Sequence, residues 1–358
     1  MKGNISLSLP STKYVTFSGK NQGLFGIKAI SKLGPVDVTT IASIEKSKKE
    51  QSEWDGGGQS STQQIRDVDW IKNRYFFIHP WFRDGVDTLL TASPVSIPSF
   101  YPLRNGLHLI GDVVVKNFEL YKSININDPS AMTGMAYVNP NDTTQYASEN
   151  EEGSFVLLEQ GTNYYVSPDL GFIRVREQVS QDILGCTFTL EDRQTGQTLL
   201  EVGNGPDSAG TNLALMMIKP RNSHPNHSTW PLMFKNVYYL GTSQINSEGF
   251  EIKVINKNST PVSERDRTSS FTYLTLFGLD SLDENGNRSY DEIIDMDMAN
   301  IMNMVDGELM FPALHPFANG DSLAGGQRSE QLKSQLGTGV MYTSSSSSEV
   351  NGDHRWMI

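Results

Sequence analysis

The chain has 358 residues, of which 37% are hydrophobic and 20% charged, and its net charge is −12 at neutral pH. That acidity argues against a duplex nucleic-acid partner, whose phosphates need a basic surface. One cysteine, Cys186, excludes a disulfide framework and a multi-thiolate metal site, and no apolar run is long enough for a transmembrane helix.

In chain order, "ISLSLPSTKYVTFS" opens as one or two strands. In "GLFGIKAISKLGPVDVTTIASIEKS", residues 23–47, the alternation predicts a hairpin turned at Gly34-Pro35. Leu33 would then face Val36, and Ser31 would face Val38. Phe25, Ile27, Ala29, Leu33, Val36, Val38, Ala42 and Ile44, with Ser31 and Thr40, would share one face. The other face carries Leu24 and Ile30 but also Lys28, Lys32, Asp37 and Glu45, with Lys32 opposite Asp37. Such a face suits either the core of a soluble sandwich or lipid.

The following "KSKKEQSEWDGGGQSSTQQ" is polar and glycine-rich, a loop or linker. Its glycines precede Gln and Ser rather than Lys and a helix, so they do not form a phosphate loop. "DWIKNRYFFIHPWFRDGVDTLLTA" predicts a helical region near residues 69–92, with Pro80 in the first turn and Asp84 and Asp87 early in the helix. Its aromatic cluster, "YFFIHPWF", is expected to pack in a core, with a sugar- or protein-binding surface as the alternative. "LIGDVVVKNFELYKSI" returns to strands, and "NPNDTTQYASENEEGS" is a polar loop.

From residue 155 onward, short alternating stretches and turn pieces such as "SPDLG" and "RQTGQ" predict hairpins. "TWPLMFKNVYYLG" reads as a short helix entering a strand. "GFEIKVINKN", "SFTYLTLFGLD" and "GELMFPALHPFA" read as strands, and "TSSSSSE" as a flexible connector. The expected class is mainly β.

Among candidate chemical sites, "DSLDENGNRSYDE" places Asp283, Asn285 and Asn287 at alternate positions, with Asp291 further on. Oxygen donors so spaced can wrap a calcium ion. Yet Arg288 and Ile294 stand where an EF-hand needs glycine and a bidentate glutamate, so a solvated turn is the simpler reading. His224 and His227 in "HPNH" are separated by a proline that breaks any helical face, and no third ligand stands nearby in sequence. Cys186, in "ILGCTFTL", is expected to be a small buried hydrophobe. No phosphate-cradling glycine loop, nucleophile elbow or zincin helix is present. The expectation is therefore a non-enzyme without a cofactor. On the residues alone, a secreted or surface β-sandwich module binding polysaccharide or a protein partner is a reading that fits.

Several passages together resemble the SprA family (SprA and its relative Sov), very large outer-membrane proteins of gliding motility and type IX secretion. "GNISLSLP" and "QGLFGIKAISKLGPVDVTTIASIEKSKKEQ" are similar to the family's recurring strand pair ending in Ser-x-x-Lys-Ser. "NRYFFIHPWFRDGVDTLL" is similar to its Asn-Arg-x-Phe-Phe followed by Phe-Arg-Asp, here Phe82, Arg83 and Asp84. "EQGTNYYVSPDLGFIRVREQVSQDILGCTFTLEDRQTGQTLLEVG" resembles its Gly-x-Asp-Tyr, Leu-Gly-Tyr-Ile and Val-Gly-Glu segment. Here Asn163 replaces the Asp, Phe172 replaces the Tyr, and Asn204 follows Val-Gly. "TWPLMFKNVYYLG" and "GELMFPALHPF" resemble two further landmarks.

The resemblance implies a fragment of a giant single-chain outer-membrane β-barrel that exports proteins and has no catalytic residues. It implies barrel strands over 1–47, each about the ten residues that a tilted stave needs. The apolar face would meet lipid and the charged face the lumen. Residues 48–330 would form a water-exposed, β-rich α+β insertion on the periplasmic or extracellular side. Residues 331–358 would be a flexible connector and the possible start of the next stave, with Trp356 near the membrane interface. The implied partners are secreted cargo, other secretion-system subunits and outer-membrane lipid.

Overall fold

The computed structural model describes residues 24–33, 36–45, 62–85, 111–125, 128–205, 212–282, 287, 289–296, 301–319 and 330–358. It divides into two compact units, 1–61 and 62–358. The protein is mainly β.

In the first unit, β1 (Leu24–Leu33) and β2 (Val36–Glu45) pair antiparallel over their whole length. Leu33 lies opposite Val36, Ser31 opposite Val38 and Lys32 opposite Asp37, the register expected from the alternation.

The second unit begins with β3 (Tyr75–Phe77) and helix α1 (Pro80–Asp84). The helical region expected near 69–92 is thus a single short turn within the described residues. Proline does occupy its first position, and the His79 ring accepts a hydrogen bond from the Trp81 amide at 3.3 Å. Gly85, at φ 78°, ends it. Residues 75–77 cannot join a helix because they pair with a distant strand; Asp87 lies outside the described residues.

A barrel follows, built from β4 (Val113–Ile124), β5 (Met132–Tyr137), β6 (Glu151–Leu157), β9 (Leu184–Asp192) and β11 (Leu213–Lys219). Between β6 and β9 the chain makes β7 (Tyr164–Ser167) and β8 (Phe172–Val175), and β10 (Thr198–Val202) lies beside β9. The barrel order is β4-β6-β5-β11-β9, closed by β9 pairing with β4; only β5 and β11 run parallel. This small closed barrel has no free sheet edge around its ring.

Its lumen is packed with side chains, among them Tyr121, Phe155, Leu213, Leu215 and Met217. Room for them comes from glycine. A Cβ on Gly134 would stand 2.6 Å from Leu213 Cβ, and one on Gly185 would stand 2.8 Å from Leu215 Cβ. Alternate residues of β11, Met216 and Ile218, point outward into a second core. Burial on both faces explains why "LALMMIK" is apolar almost throughout.

The second core joins that barrel wall to the sheet β3-β8-β7 through Phe76, Phe77, Ile173 and Val175. Two buried lysines close its margins. Lys219 Nζ donates to the carbonyls of Ser180, Asp182 and Pro220, and Lys235 Nζ donates to those of Trp230 and Met233.

The third core gathers the rest. A 3-10 turn, Trp230–Leu232, which packs in the second core, leads into β12 (Val237–Tyr239), whose Val237 faces the second core and Tyr238 the third; the helix-then-strand pattern predicts this order. Then come β13 (Ile255–Asn256), α2 (Tyr273–Leu276), β14 (Met302–Asn303) and β15 (Glu308–Met310). Helices α3 (Glu330–Gln335), α4 (Val340–Thr343) and α5 (Ser347–Gly352) and strand β16 (Trp356–Met357) complete the chain. The strand expected in "SFTYLTLFGLD" is helix α2, because the Thr272 hydroxyl caps it by accepting from the Thr275 amide at 3.2 Å.

The flexible connector and interfacial Trp356 expected for 331–358 are likewise corrected. Trp356 is fully buried and packs edge-on against Tyr273 and Phe277 at 4.8 and 5.1 Å between ring centroids. Strand β16 pairs with β13 and bridges to Arg66. Asp353 accepts from the amides of Thr338, Gly339 and Met341, while the buried Asp67 accepts from those of Arg355 and Trp356. The serine run reads as a flexible tether, but the apolar anchors on either side of it, Tyr342 and Trp356, are core residues.

Candidate functional site

The register of β1 and β2 brings together all eight apolar positions singled out for lipid. Phe25 lies opposite Ile44, Ile27 opposite Ala42, Ser31 opposite Val38 and Leu33 opposite Val36, with Ala29 opposite Thr40 in the same row. Directly paired residues and every second residue share a face of a two-stranded ribbon. Lys28, Lys32, Asp37 and Glu45 occupy the alternate row.

The calcium candidates fare differently. Asp283 and Asn285 lie outside the described residues. Asn287 is exposed, and the Asp291 carboxylate accepts from the Ile293 amide at 3.0 Å. Two other acids of this segment carry the hydrogen bonds. Asp280 accepts from the amides of Asp291 and Glu292 and from the Thr275 hydroxyl, and Asp295 accepts from the amides of Ser281 and Leu282. Burial raises both carboxyls, against those hydrogen bonds. Their lone pairs hold the loop from within. Among the described residues, no group of three or more His, Cys, Asp or Glu side chains is placed to hold a metal.

His224 and His227 meet edge to face with ring centroids 5.8 Å apart. His227 Nδ1 is engaged by Thr229 at 2.9 Å and lies 3.5 Å from Glu149. Burial lowers the pKa of His227, which suits this neutral, hydrogen-bonded role. The aromatic cluster at 75–82 is core, as the sequence favoured: Tyr75, Phe76, Phe77 and Phe82 are all buried. Cys186 is buried as expected, and burial pushes its thiol well above the ordinary range.

Two groupings escaped the sequence. The first is a buried ionic cluster around Glu308 on β15. Its carboxylate accepts from the Tyr75 hydroxyl at 2.5 Å and pairs with Arg74 at 2.8 Å and Arg174 at 3.2 Å, and Arg174 also meets Asp306 at 2.7 Å. Burial, then the Glu308 charge, pushes the Tyr75 phenol far up, so it stays a donor. The residues come from three segments, around 74, 174 and 308, so no local pattern announces them.

The second is the mouth of the small barrel, a cavity of about 390 Å³. On β4 and β9, Tyr121 pairs with Gly185 and Glu119 pairs with Thr187. The first pair lines the packed lumen, and the second, two residues along on the same face, lines the opening. Thr189 and Glu201, paired across β9 and β10, extend the rim. Backbone irregularity shapes it. Strand β4 bulges between Lys116 and Glu119, with Asn117 at φ 49°, and Gly203 turns at φ 73° beside Thr187. The one available signal was Thr187 and Thr189 alternating with the apolar Cys186, Phe188 and Leu190 along β9.

No protein-family model matches the chain, and no curated protein matches it.

Proposed function

We propose that the chain is a segment of an outer-membrane protein-export channel of the type IX secretion and gliding-motility kind, acting as structure rather than as an enzyme. The observation that supports this reading most is the β1–β2 register, which aligns an apolar and hydroxyl row over two ten-residue strands and puts Lys28, Lys32, Asp37 and Glu45 in the other, mixed row. Ten residues suffice for a tilted strand to cross a hydrocarbon core. Among the described residues no third strand pairs with either edge, and a lone hairpin is marginal in water. As staves of a larger barrel, the two strands would have their edges paired and their apolar row covered by lipid. Residues 62–358, with their own cores, would form a water-exposed domain on the periplasmic or extracellular side. Secreted cargo and other secretion-system subunits would be the partners.

The test is cysteine labelling of the full-length protein in native outer membranes, in a background from which every cysteine outside these 358 residues has been replaced; within them Cys186 is buried. Lys28→Cys and Lys32→Cys should react with a water-soluble maleimide. Ile27→Cys and Val38→Cys should react only with a lipid-soluble reagent until detergent is added. Equal reaction of both rows with the water-soluble reagent would reject the membrane placement.

A further inference from the structure

We propose that the mouth of the five-strand barrel is a binding site for a neutral, hydroxyl-rich ligand, a saccharide. This does not rest on the export reading, because it concerns residues 113–219 alone. The cavity, about 390 Å³, lies within the range of small-ligand pockets, about 300–1,000 Å³, and barrel mouths are among the places where such pockets form.

The chemistry of the lining selects the ligand. Glu119 and Glu201 offer acceptors only; Asn117, Asn204 and Asn212 offer a donor and an acceptor each; Thr187 and Thr189 offer hydroxyls. Among the described residues no lysine or arginine lines the cavity, so a phosphate or carboxylate ligand would meet two carboxylates without a counter-charge. An apolar ligand would strand these groups without partners. A sugar, whose hydroxyls both donate and accept, satisfies carboxylates and amides together. Only two of the described lining residues, Glu119 and Glu201, carry carboxylates, fewer than a calcium cage needs.

The site is also prepared. Glu119 Oε2 accepts from Tyr121 at 2.5 Å and from Thr187 at 3.4 Å, which fixes the carboxylate at the rim. Asn117 Nδ2 donates to Thr189 at 3.2 Å. The left-handed Asn117 and the bulge around it are irregularities of the kind that re-aim side chains at functional sites. Gly205 brings backbone against the same carboxylate: a Cβ there would lie 3.0 Å from Glu119 Oε2.

The experiment is calorimetric titration of the full chain with maltose, lactose, mannobiose and N,N′-diacetylchitobiose, with calcium chloride and inorganic phosphate titrated separately. At least one saccharide should bind. Glu201→Gln, on the exposed rim, and Glu119→Gln should each weaken it roughly ten- to hundredfold, the range carried by a hydrogen bond to a charged group. Unchanged thermal unfolding would show that both variants fold. Silence with every saccharide overturns the proposal. So does calcium binding without saccharide binding, or saccharide binding that neither variant affects.

Discussion

Replacing Glu308 by glutamine tests whether the buried ionic cluster holds the second and third cores together. The side chain is 2% exposed, and it carries the only negative charge within reach of Arg74 among the ion pairs of the described residues. Removing one member of a buried pair typically costs about 3–5 kcal/mol, because the other charge is left desolvated. Three features pull the value toward the lower limit. Both arginines are about one-fifth exposed, and Arg174 keeps Asp306 at 2.7 Å. The Arg74 contact at 2.8 Å is also an ion pair without hydrogen-bond alignment at Glu308 Oε1. The expected loss is about 3 kcal/mol. Tyr75→Phe removes one hydrogen bond to a charged acceptor and should cost about 2 kcal/mol. Because both changes act on one carboxylate, the double variant should lose less than their sum, by about 1 kcal/mol or more. Urea unfolding followed by tryptophan fluorescence and far-ultraviolet circular dichroism measures all three. Losses under about 1 kcal/mol would show that desolvation cancels the cluster's attraction, and simple additivity would show that Tyr75 and the arginines are not coupled through Glu308.

Two further outcomes follow from the same structure. Gly134→Ala places a methyl 2.6 Å from Leu213 Cβ and 2.9 Å from the Leu213 carbonyl oxygen. It should cost about 1–3 kcal/mol by overpacking, read as a lower urea midpoint, and an unchanged midpoint would deny the close β5–β11 seam. Burial, then Arg83, draws the Lys235 amine down from 10.5 to about 7; burial, partly offset by Asp182 and Glu151, draws Lys219 down to about 8. A lysine lowered in the folded state carries its burial cost in full below the folded value and sheds it as pH rises toward 10.5. Stability should therefore climb between about pH 7 and 10.5. Lys235→Met should flatten the part of the Tm-against-pH curve that begins near 7, and an identical slope in the variant would contradict the assignment.

The sequence alone was enough for the mainly β class, the β1–β2 hairpin with its pairing, the proline-initiated turn at residue 80 and the buried cysteine. Those features are written in neighbouring residues: a period of two, a turn dipeptide, a fixed proline φ, a small apolar side chain among apolar ones. Tertiary structure decided what depends on distant chain. It closed β4, β5, β6, β9 and β11 into a ring around glycines, and turned residues 331–358 from an apparent tether into core through Trp356 and the carboxylates of Asp67 and Asp353. It also made a helix of "SFTYLTLFGLD", capped by Thr272, and gathered Glu308 with Arg74 and Arg174. The physical reason is common to all of them. Burial and charge compensation are set by whatever segment arrives from elsewhere, and a residue's immediate neighbours do not record that arrival.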